Sequence, residues 1–408
     1  MSAPGRAVAR SFRGFVATQF LGAFNDNLFK QLVVLLAVDH VKSGGESLDA
    51  LAAALFALPF VLFSGLAGQL ADRFSKRRVI VLAKIAEIAV MGLAALGFAL
   101  QSLPFLLVVV FLMGAQSAFF GPAKYGAIPE MIEPGGMSRA NGIVQMTTFL
   151  AVILGNAAAG ALKNTFGAAL LAPAAVCVLI AGVGTFTSLL VRTAPAQRPD
   201  LKLSRQPFAD LFPTLVALLR QRSWRDVMLA YSFFWFMGGV VQQCMNRYGK
   251  ILMELDDRGT SFLLVTLSVG MAAGSVLGGY LARGTIRFGL ARWGAFGMIA
   301  GLLALGVAHH ALALVHVVLF VLGASGALFG LPFVVWIQSS APPSERGSVI
   351  AVSNFTNWIF IFLSAGYFGA TSALLPIEWV PVSLGVLTAV VLPGWIRSFA
   401  RLEHPAPR

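Results

Sequence analysis

Charge is what this chain has least of. Of its 408 residues only 12% are Asp, Glu, Lys or Arg, about half the usual share in globular proteins. A soluble fold of this size would be left without a solvating shell. The same shortage excludes disorder, because disordered segments are polar and highly charged. Acid is scarcer than base, with 17 Asp and Glu against 30 Lys and Arg. The two cysteines, Cys177 and Cys244, lie in apolar stretches. They are too few and too scattered for a disulfide framework or a thiolate metal site, and read as small core residues. The five histidines form no metal-spaced cluster with Cys or acid, and none has an aspartate five residues on. No lysine sits in a phosphate-binding Gly-x-x-x-x-Gly-Lys-Ser/Thr loop. Neither an enzyme, a metal nor a cofactor is expected.

What the chain has is hydrocarbon. Hydrophobic residues make up 58%, which predicts an all-α polytopic membrane protein. Apolar runs long enough to span fall at 14–38, 48–71, 78–100, 104–123, 138–162 and 168–191, then at 226–249, 261–282, 289–308, 311–337, 346–370 and 377–396. A linker with four prolines separates the two sets. The expected organisation is therefore twelve transmembrane helices: a six-helix bundle over 1–191, a cytoplasmic linker over 192–224 and a second six-helix bundle over 225–408. The basic start and apolar continuation resemble a signal peptide only superficially, because Asn25-Asp26-Asn27 interrupts the run.

The positive-inside rule supports this layout. With the N-terminus in the cytoplasm, cytoplasmic segments hold 22 Lys and Arg and the opposite side holds 5. One missed span would invert every segment after it. Both termini and the linker are expected in the cytoplasm; a cysteine at 205 should be shielded from an outside label and one at 256 should react. The net charge of +13 is read as topology signal and contact with anionic lipid, not as affinity for nucleic acid.

The halves repeat one another. Gly68 to Arg73 ends span two, and Gly278 to Arg283 ends span eight, 210 residues later. Pro122 and Pro332 are also 210 apart. Such duplication is the pattern of a transporter whose site lies near the midplane. Gly68-x-Leu70-Ala71-Asp72-Arg73-x-x-Lys76-Arg77-Arg78 carries a glycine for close helix approach, an acid able to meet a helix dipole, and a basic cluster. Gly68, Asp72, Arg73 and Arg77 are expected to form a state-dependent latch, with pure topology determination as the alternative. The second copy has lost its acid, so the latch is expected on one side only.

Asp26 lies 12 residues in from Gly14, about 18 Å along a helix. An ionisable group at that depth is a functional candidate by default. Lys30 is one turn on and can neutralise it. Asn25 and Asn27 flank it. Lys84 and Glu87 sit nearer the cytoplasmic end of span three, where Lys84 can snorkel, and read as a structural pair. Pro122 is expected to break span four and leave Lys124 at a cavity mouth. Gln145, Gln242 and Gln243 either line a cavity or bond between helices. Small residues every four positions, Ala151-Gly155-Ala159 and Gly270-Gly274-Gly278, allow close contact. They suit either sliding at a seam between spans five and eight or static packing.

Phe24-Asn25-Asp26-Asn27, Gly121-Pro122-Ala123-Lys124-Tyr125-Gly126 and Ala140-Asn141-Gly142 occur in this order, with the loop signature between the first two. Together they resemble the bacterial lysophospholipid transporter family of the major facilitator superfamily. Phe234-Trp235-Phe236 and Tyr248-Gly249-Lys250 are similar to relatives fused to a 2-acylglycerophosphoethanolamine acyltransferase. The resemblance implies a monomeric inner-membrane carrier that moves lysophospholipid inward for reacylation by a separate acyltransferase. The family's span-seven arginine is replaced here by Gln242 and Gln243, with Arg247 one turn further. Asp26 would attract an ammonium, and Lys124 or Arg247 a phosphate. The rival within the fold is a proton-coupled exporter of amphipathic drugs. With Glu87 placed near one end, no second mid-depth acid is evident, and movement independent of an ion gradient is expected. Exposing a tail of about 16 carbons would cost on the order of 12 kcal/mol, so entry sideways between helices is expected, past Gly155 and Gly274 or between spans two and eleven.

Overall fold

A computed structural model describes residues 3–42, 49–167, 169, 171–204, 206 and 208–403. Among the described residues every expected span falls largely on helix. In order these are α1 (Ala3–Lys42), α2 (Asp49–Leu62), α3 (Ser64–Arg73), α4 (Lys76–Ala99), α5 (Leu103–Met131), α6 (Met137–Phe166), α7 (Leu171–Ser188), α8 (Leu211–Arg220), α9 (Arg222–Arg247), α10 (Asp257–Leu281), α11 (Phe288–Ala308), α12 (Leu312–Ser340), α13 (Arg346–Leu374) and α14 (Trp379–Glu403). Among the described residues nine helices are long and apolar enough to cross a membrane. The pair α2 and α3, bent by 49°, makes a tenth. The bend falls at a Ser64-Gly65 pair, where the Ser64 hydroxyl bonds back to the Phe60 carbonyl, a known cause of helix bending. α1 and α14 stand where the first and twelfth spans are expected. The apolar part of α14, Trp379–Trp395, is short.

Contrary to expectation Pro122 does not break its helix, while Pro332 sits within its span as expected. Pro122 lies inside α5, and the helix runs on to Met131; Pro332 lies inside α12 in the same way. A proline inside a membrane helix is tolerated when its surroundings satisfy the freed backbone. A glycine stands close before each, Gly121 and Gly330.

Two compact units emerge, and three of their five borders fall inside helices, in α6, α8 and α13. The first comprises 1–132, 151–215 and 341–355; the second comprises 133–150, 216–340 and 356–408. In the first, α4 packs on α5 and α7, α2 on α5, and α1 on α7. Its core includes Leu28, Phe29, Leu32, Met91, Val110 and Ala181. In the second, α12 packs on α10 and α11, and α14 on α11. The linker is no free loop. Within the first unit, Thr193 accepts from the Arg77 N–H, Ala194 donates to Glu130, Arg198 N–H to the Asp72 carbonyl and Ser204 N–H to Gln69.

Candidate functional site

Helical spacing puts Asn25 and Asp26 on the part of α1 that meets α4 and α5. The Asn25 Nδ2 donates to Glu87 Oε1 at 2.9 Å. Asp26 Oδ2 lies 2.6 Å from the Ser117 hydroxyl, which is also 2.9 Å from Gln116 Oε1. The Gln116 Nε2 donates to Glu87 Oε2 and to the Ala83 carbonyl, each at 3.3 Å. Lys84 closes the group with an ion pair to Glu87. Lys84 and Glu87 are both 1% exposed and Asn25 is 0%.

This placement corrects two expectations. Lys84 does not snorkel; its ammonium is enclosed where Gly22 of α1 and Gly184 of α7 leave room. A Cβ at those glycines would come within 3.1 Å and 3.0 Å of Lys84 Nζ. Glu87 bonds the neighbour of Asp26, so it lies at the same depth, and the premise that no second acid exists there does not hold. Asp26 and Lys30 share no hydrogen bond, but their charges face each other as expected; Lys30 reaches Asn27 Oδ1 at 3.4 Å and lies over the Phe56 ring. Asn27 also donates to the Ala23 carbonyl of its own helix. Lys124, further along α5, contacts Gln19 Oε1 at 3.4 Å and the Tyr125 ring.

A second constellation lies in the same unit, at the end of α3. Asp72 is fully buried and caps the N-terminus of α13. Oδ1 accepts from the Gly347 N–H at 2.6 Å; Oδ2 accepts from the Ser348 N–H at 2.9 Å and the Ser348 hydroxyl at 2.6 Å. An anion at a helix start meets free N–H groups and the positive dipole end. Gly68 permits the approach, since a Cβ there would stand 2.8 Å from the Ala351 Cβ and 2.9 Å from the Ser348 Cα. Arg73 and Arg77 are not in this contact: Arg73 lies over Phe74, and Arg77 points to the Leu189 carbonyl. The cations beside Asp72 are Lys76 and Arg346, which sequence reasoning did not select. Lys76 is 1% exposed, donates to the Ala71 carbonyl at 2.6 Å and pairs with Glu130 at 3.7 Å. Its burial was not visible because basic loop residues ordinarily face water.

In the second unit Asn141, at the start of α6, and Gln338, at the end of α12, exchange two amide bonds of 2.8 and 2.9 Å. They are 0% and 1% exposed. Asn141 repeats Ser348 at the 207-residue spacing of Arg139 and Arg346, but the position that repeats Asp72 is Ala282, so this pair joins other helices than the Asp72 contact. Gln145 accepts from Ser275 at 3.3 Å. Gln243 donates to the Gly239 carbonyl and to Ser364, Arg247 to Ser372, and Gln242 is exposed.

The small-residue stripes face inward within their own units. A Cβ at Gly155 would stand 2.6 Å from the Phe24 carbonyl oxygen of α1. Gly270 and Gly274 of α10 abut the Phe320 and Ala324 carbonyls of α12, and Gly278 abuts Leu331 and Leu328. The close approach of α6 to α10 is made instead by Gly142, against the Ser275 carbonyl, and by Gly279, against Arg139. Spacing alone does not say which neighbour a small-residue stripe meets.

Comparison with known proteins agrees with this architecture. The Major Facilitator Superfamily profile matches residues 15–365. A lysophospholipid transporter LplT from Enterobacter sp. (strain 638) is 26% identical over 396 residues, covering 95% of this chain and 96% of that protein. The protein of that name from Escherichia coli O6:K15:H31 is 25% identical with the same coverage. The human organic anion transporter MFSD10 shares the fold with a TM-score of 0.80 at 14% identity, covering 94% of this chain and 98% of that one. A bacterial homologue of the iron transporter ferroportin does so at 0.71 and 15%, covering 95% and 99%. With the profile spanning most of its length, this multi-pass chain belongs to the Major Facilitator Superfamily.

Proposed function

We propose that this protein carries lysophospholipids such as lysophosphatidylethanolamine inward across the bacterial inner membrane, for reacylation by a separate acyltransferase. The relatives so named, similar along 95% of the chain, support this reading. The observation that carries it is the Asp26 carboxylate. It stands mid-span, and its Oδ1 and the neighbouring Asn25 Oδ1 have no protein hydrogen-bond partner. Two buried acceptors, one of them anionic, suit an ammonium. Asn27 and Lys30 shape this place, and Lys124 of the same unit serves the phosphate; Gln145, Gln242, Gln243 and Arg247 are candidate polar contacts within the second unit.

The direct test is uptake of labelled lysophospholipid by proteoliposomes containing only this chain; absence of uptake for every head group rejects the reading. Losing a buried charge partner of a ligand costs about 2–5 kcal/mol. Asp26→Asn is therefore expected to express and fold normally and to lose at least about tenfold in uptake of the ammonium-bearing lipid. Wild-type uptake by that variant would make Asp26 structural.

The same reading sets the halves 1–191 and 225–408 about a cytoplasmic linker, with both termini cytoplasmic and the carrier a monomer. Arg205 lies outside the described residues, but Asp200 and Asp256 are exposed. In a cysteine-free background an impermeant maleimide added from outside is expected to label a cysteine at 256 and spare one at 200. The reverse pattern overturns the orientation.

A further inference from the structure

The two copies of the loop signature have kept different charges. Arg73, Arg77 and Arg346 repeat as Arg283, Arg287 and Arg139, at spacings of 210, 210 and 207 residues. Asp72 and Glu130 repeat, at 210, as Ala282 and Ser340. Three cations are retained and both acids are lost. In the first unit protein groups answer the cations. Arg346 is buried and faces Glu130 and Asp72, Arg77 reaches the Leu189 carbonyl, and Arg73 lies over Phe74. In the second unit Arg139, Arg283 and Arg287 are exposed. Among the described residues no acid pairs with any of them, Glu133 before the α6 turn included.

Contacts within the second unit gather these arginines at one corner. The Ser138 hydroxyl, at the start of α6, donates to the Thr285 carbonyl at 3.3 Å. A Cβ at Gly284 would stand 3.2 Å from the Gly135 carbonyl oxygen, and one at Gly279 would stand 3.1 Å from the Arg139 Cα. Arg139 lies over the Tyr280 ring, and its Nη2 donates to the Tyr280 hydroxyl at 3.2 Å. A guanidinium carries five N–H donors, so most of those on Arg139 stay available. Arg283 holds a φ of +47°, a left-handed backbone that glycine adopts freely and a long side chain does not. Its counterpart Arg73 is the last residue of a regular helix, α3. Strain kept at an exposed residue points to a use for the side chain it carries.

The border of this corner is apolar. Leu277, Tyr280 and Leu281 form one exposed face at the end of α10. Trp293, in the second turn of α11, is exposed, and its ring meets that of Phe296. Exposed aromatic rings at a span end sit at the depth of the lipid head groups. Guanidinium groups pair with phosphate by charge and by forked hydrogen bonds. A free anion would leave the apolar border bare, whereas a phospholipid covers both. We propose that Arg139, Arg283 and Arg287 form a binding site for the phosphate of a two-tailed anionic phospholipid, whose chains lie along Leu277 and Tyr280. The lipid supplies in the second unit the negative charge that Asp72 and Glu130 supply in the first. It is a resident of the site and is independent of the transported molecule.

Native mass spectrometry of the purified full chain in detergent, with no lysophospholipid present, tests the site. Dioleoylphosphatidylglycerol and dioleoylphosphatidylcholine, whose choline cancels its phosphate, are offered at equal concentration. A juxtamembrane arginine strengthens binding of anionic lipid about fivefold, so the wild type should retain phosphatidylglycerol with at least about tenfold preference. Arg139→Gln, Arg283→Gln and Arg287→Gln together should abolish the preference. Arg258→Gln, at the opposite end of α10, should keep it. Equal retention of both lipids by the wild type, or an undiminished preference in the triple variant, overturns the site. A loss in Arg258→Gln as large as in Arg283→Gln reduces the effect to net charge and overturns it too. Arg283→Gly serves if the triple variant does not fold, since it removes a cation and suits the left-handed backbone. Its thermal unfolding in phosphatidylcholine should be unchanged or raised, while the added stability that phosphatidylglycerol gives should fall. A gain equal to that of the wild type overturns the site. Glycerophosphoglycerol, the same head without tails, and hexaglutamate should both fail to displace the lipid. Displacement by the first at equal concentration assigns a soluble anion, and by the second an acidic protein, either result overturning the lipid.

Discussion

Glu87→Gln is expected to be among the most destabilised single variants of this protein. Lys84 and Glu87 are each 1% exposed and form an ion pair. Both are drawn further into the fold by other bonds: Asn25 and Gln116 donate to the carboxylate, and Thr185 of α7 donates to the Lys84 carbonyl at 2.9 Å. Removing one member of a buried pair leaves the other as an uncompensated charge, at a cost of about 3–5 kcal/mol. The ammonium has little room to escape, because Gly22 and Gly184 enclose it at near-contact distance. Lys84→Met should be destabilising for the same reason. The double variant Lys84→Met with Glu87→Gln removes both charges and should recover much of the loss, since neither side chain is then left as an uncompensated buried charge. Thermal unfolding of the purified protein in one detergent measures all three. Single variants as stable as wild type, or a double variant worse than the sum of the singles, would show that the pair carries no such weight.

Asp72→Asn is expected to release the first turn of α13. The two carboxylate oxygens accept three hydrogen bonds there, two from backbone N–H groups and one from Ser348. Hydrogen bonds to a charged group contribute about 1.5–3 kcal/mol each. Asparagine keeps one acceptor but turns an amide N–H₂ toward donors, so part of the cap becomes repulsive. The negative charge opposite the helix dipole is lost as well. The readout is a cysteine introduced in place of Ala351, which is 1% exposed and packs toward Gly68. In a background without Cys177 and Cys244, maleimide labelling of that cysteine should be at least about tenfold faster in the Asp72→Asn variant than with the aspartate kept, as about 1.4 kcal/mol of opening free energy suffices for tenfold. Unchanged labelling would mean that α13 is held by its apolar contacts alone.

Much of the architecture was legible in the sequence, and for identifiable reasons. Membrane thickness sets helix length, so counting apolar runs located the spans, and the lysine and arginine distribution made the count self-consistent. Depth along a helix is arithmetic, and it brought out Asp26 as a mid-span acid before any partner was known. The Asp72 signature announced an acid at a helix end, and a helix start is what it meets.

Partner identity was decided only by the tertiary structure. Lys84 and Glu87 looked like a snorkelling pair because the sequence gives their distance from the span end but not the direction in which their helix face turns; that face turns inward, onto Asn25. Lys76 looked like one loop cation among several, yet it is buried beside Glu130 while Arg73 and Arg77 stay out of the Asp72 contact. Gly155 and Gly274 had the right spacing for a seam, and they pack instead on α1 and α12, while Gly142 makes the close approach to α10. The contacts that decide each case join residues 50 to 133 positions apart. Hydropathy and helical period fix where a residue lies along its own helix; which other helix it meets depends on the packing of all of them at once.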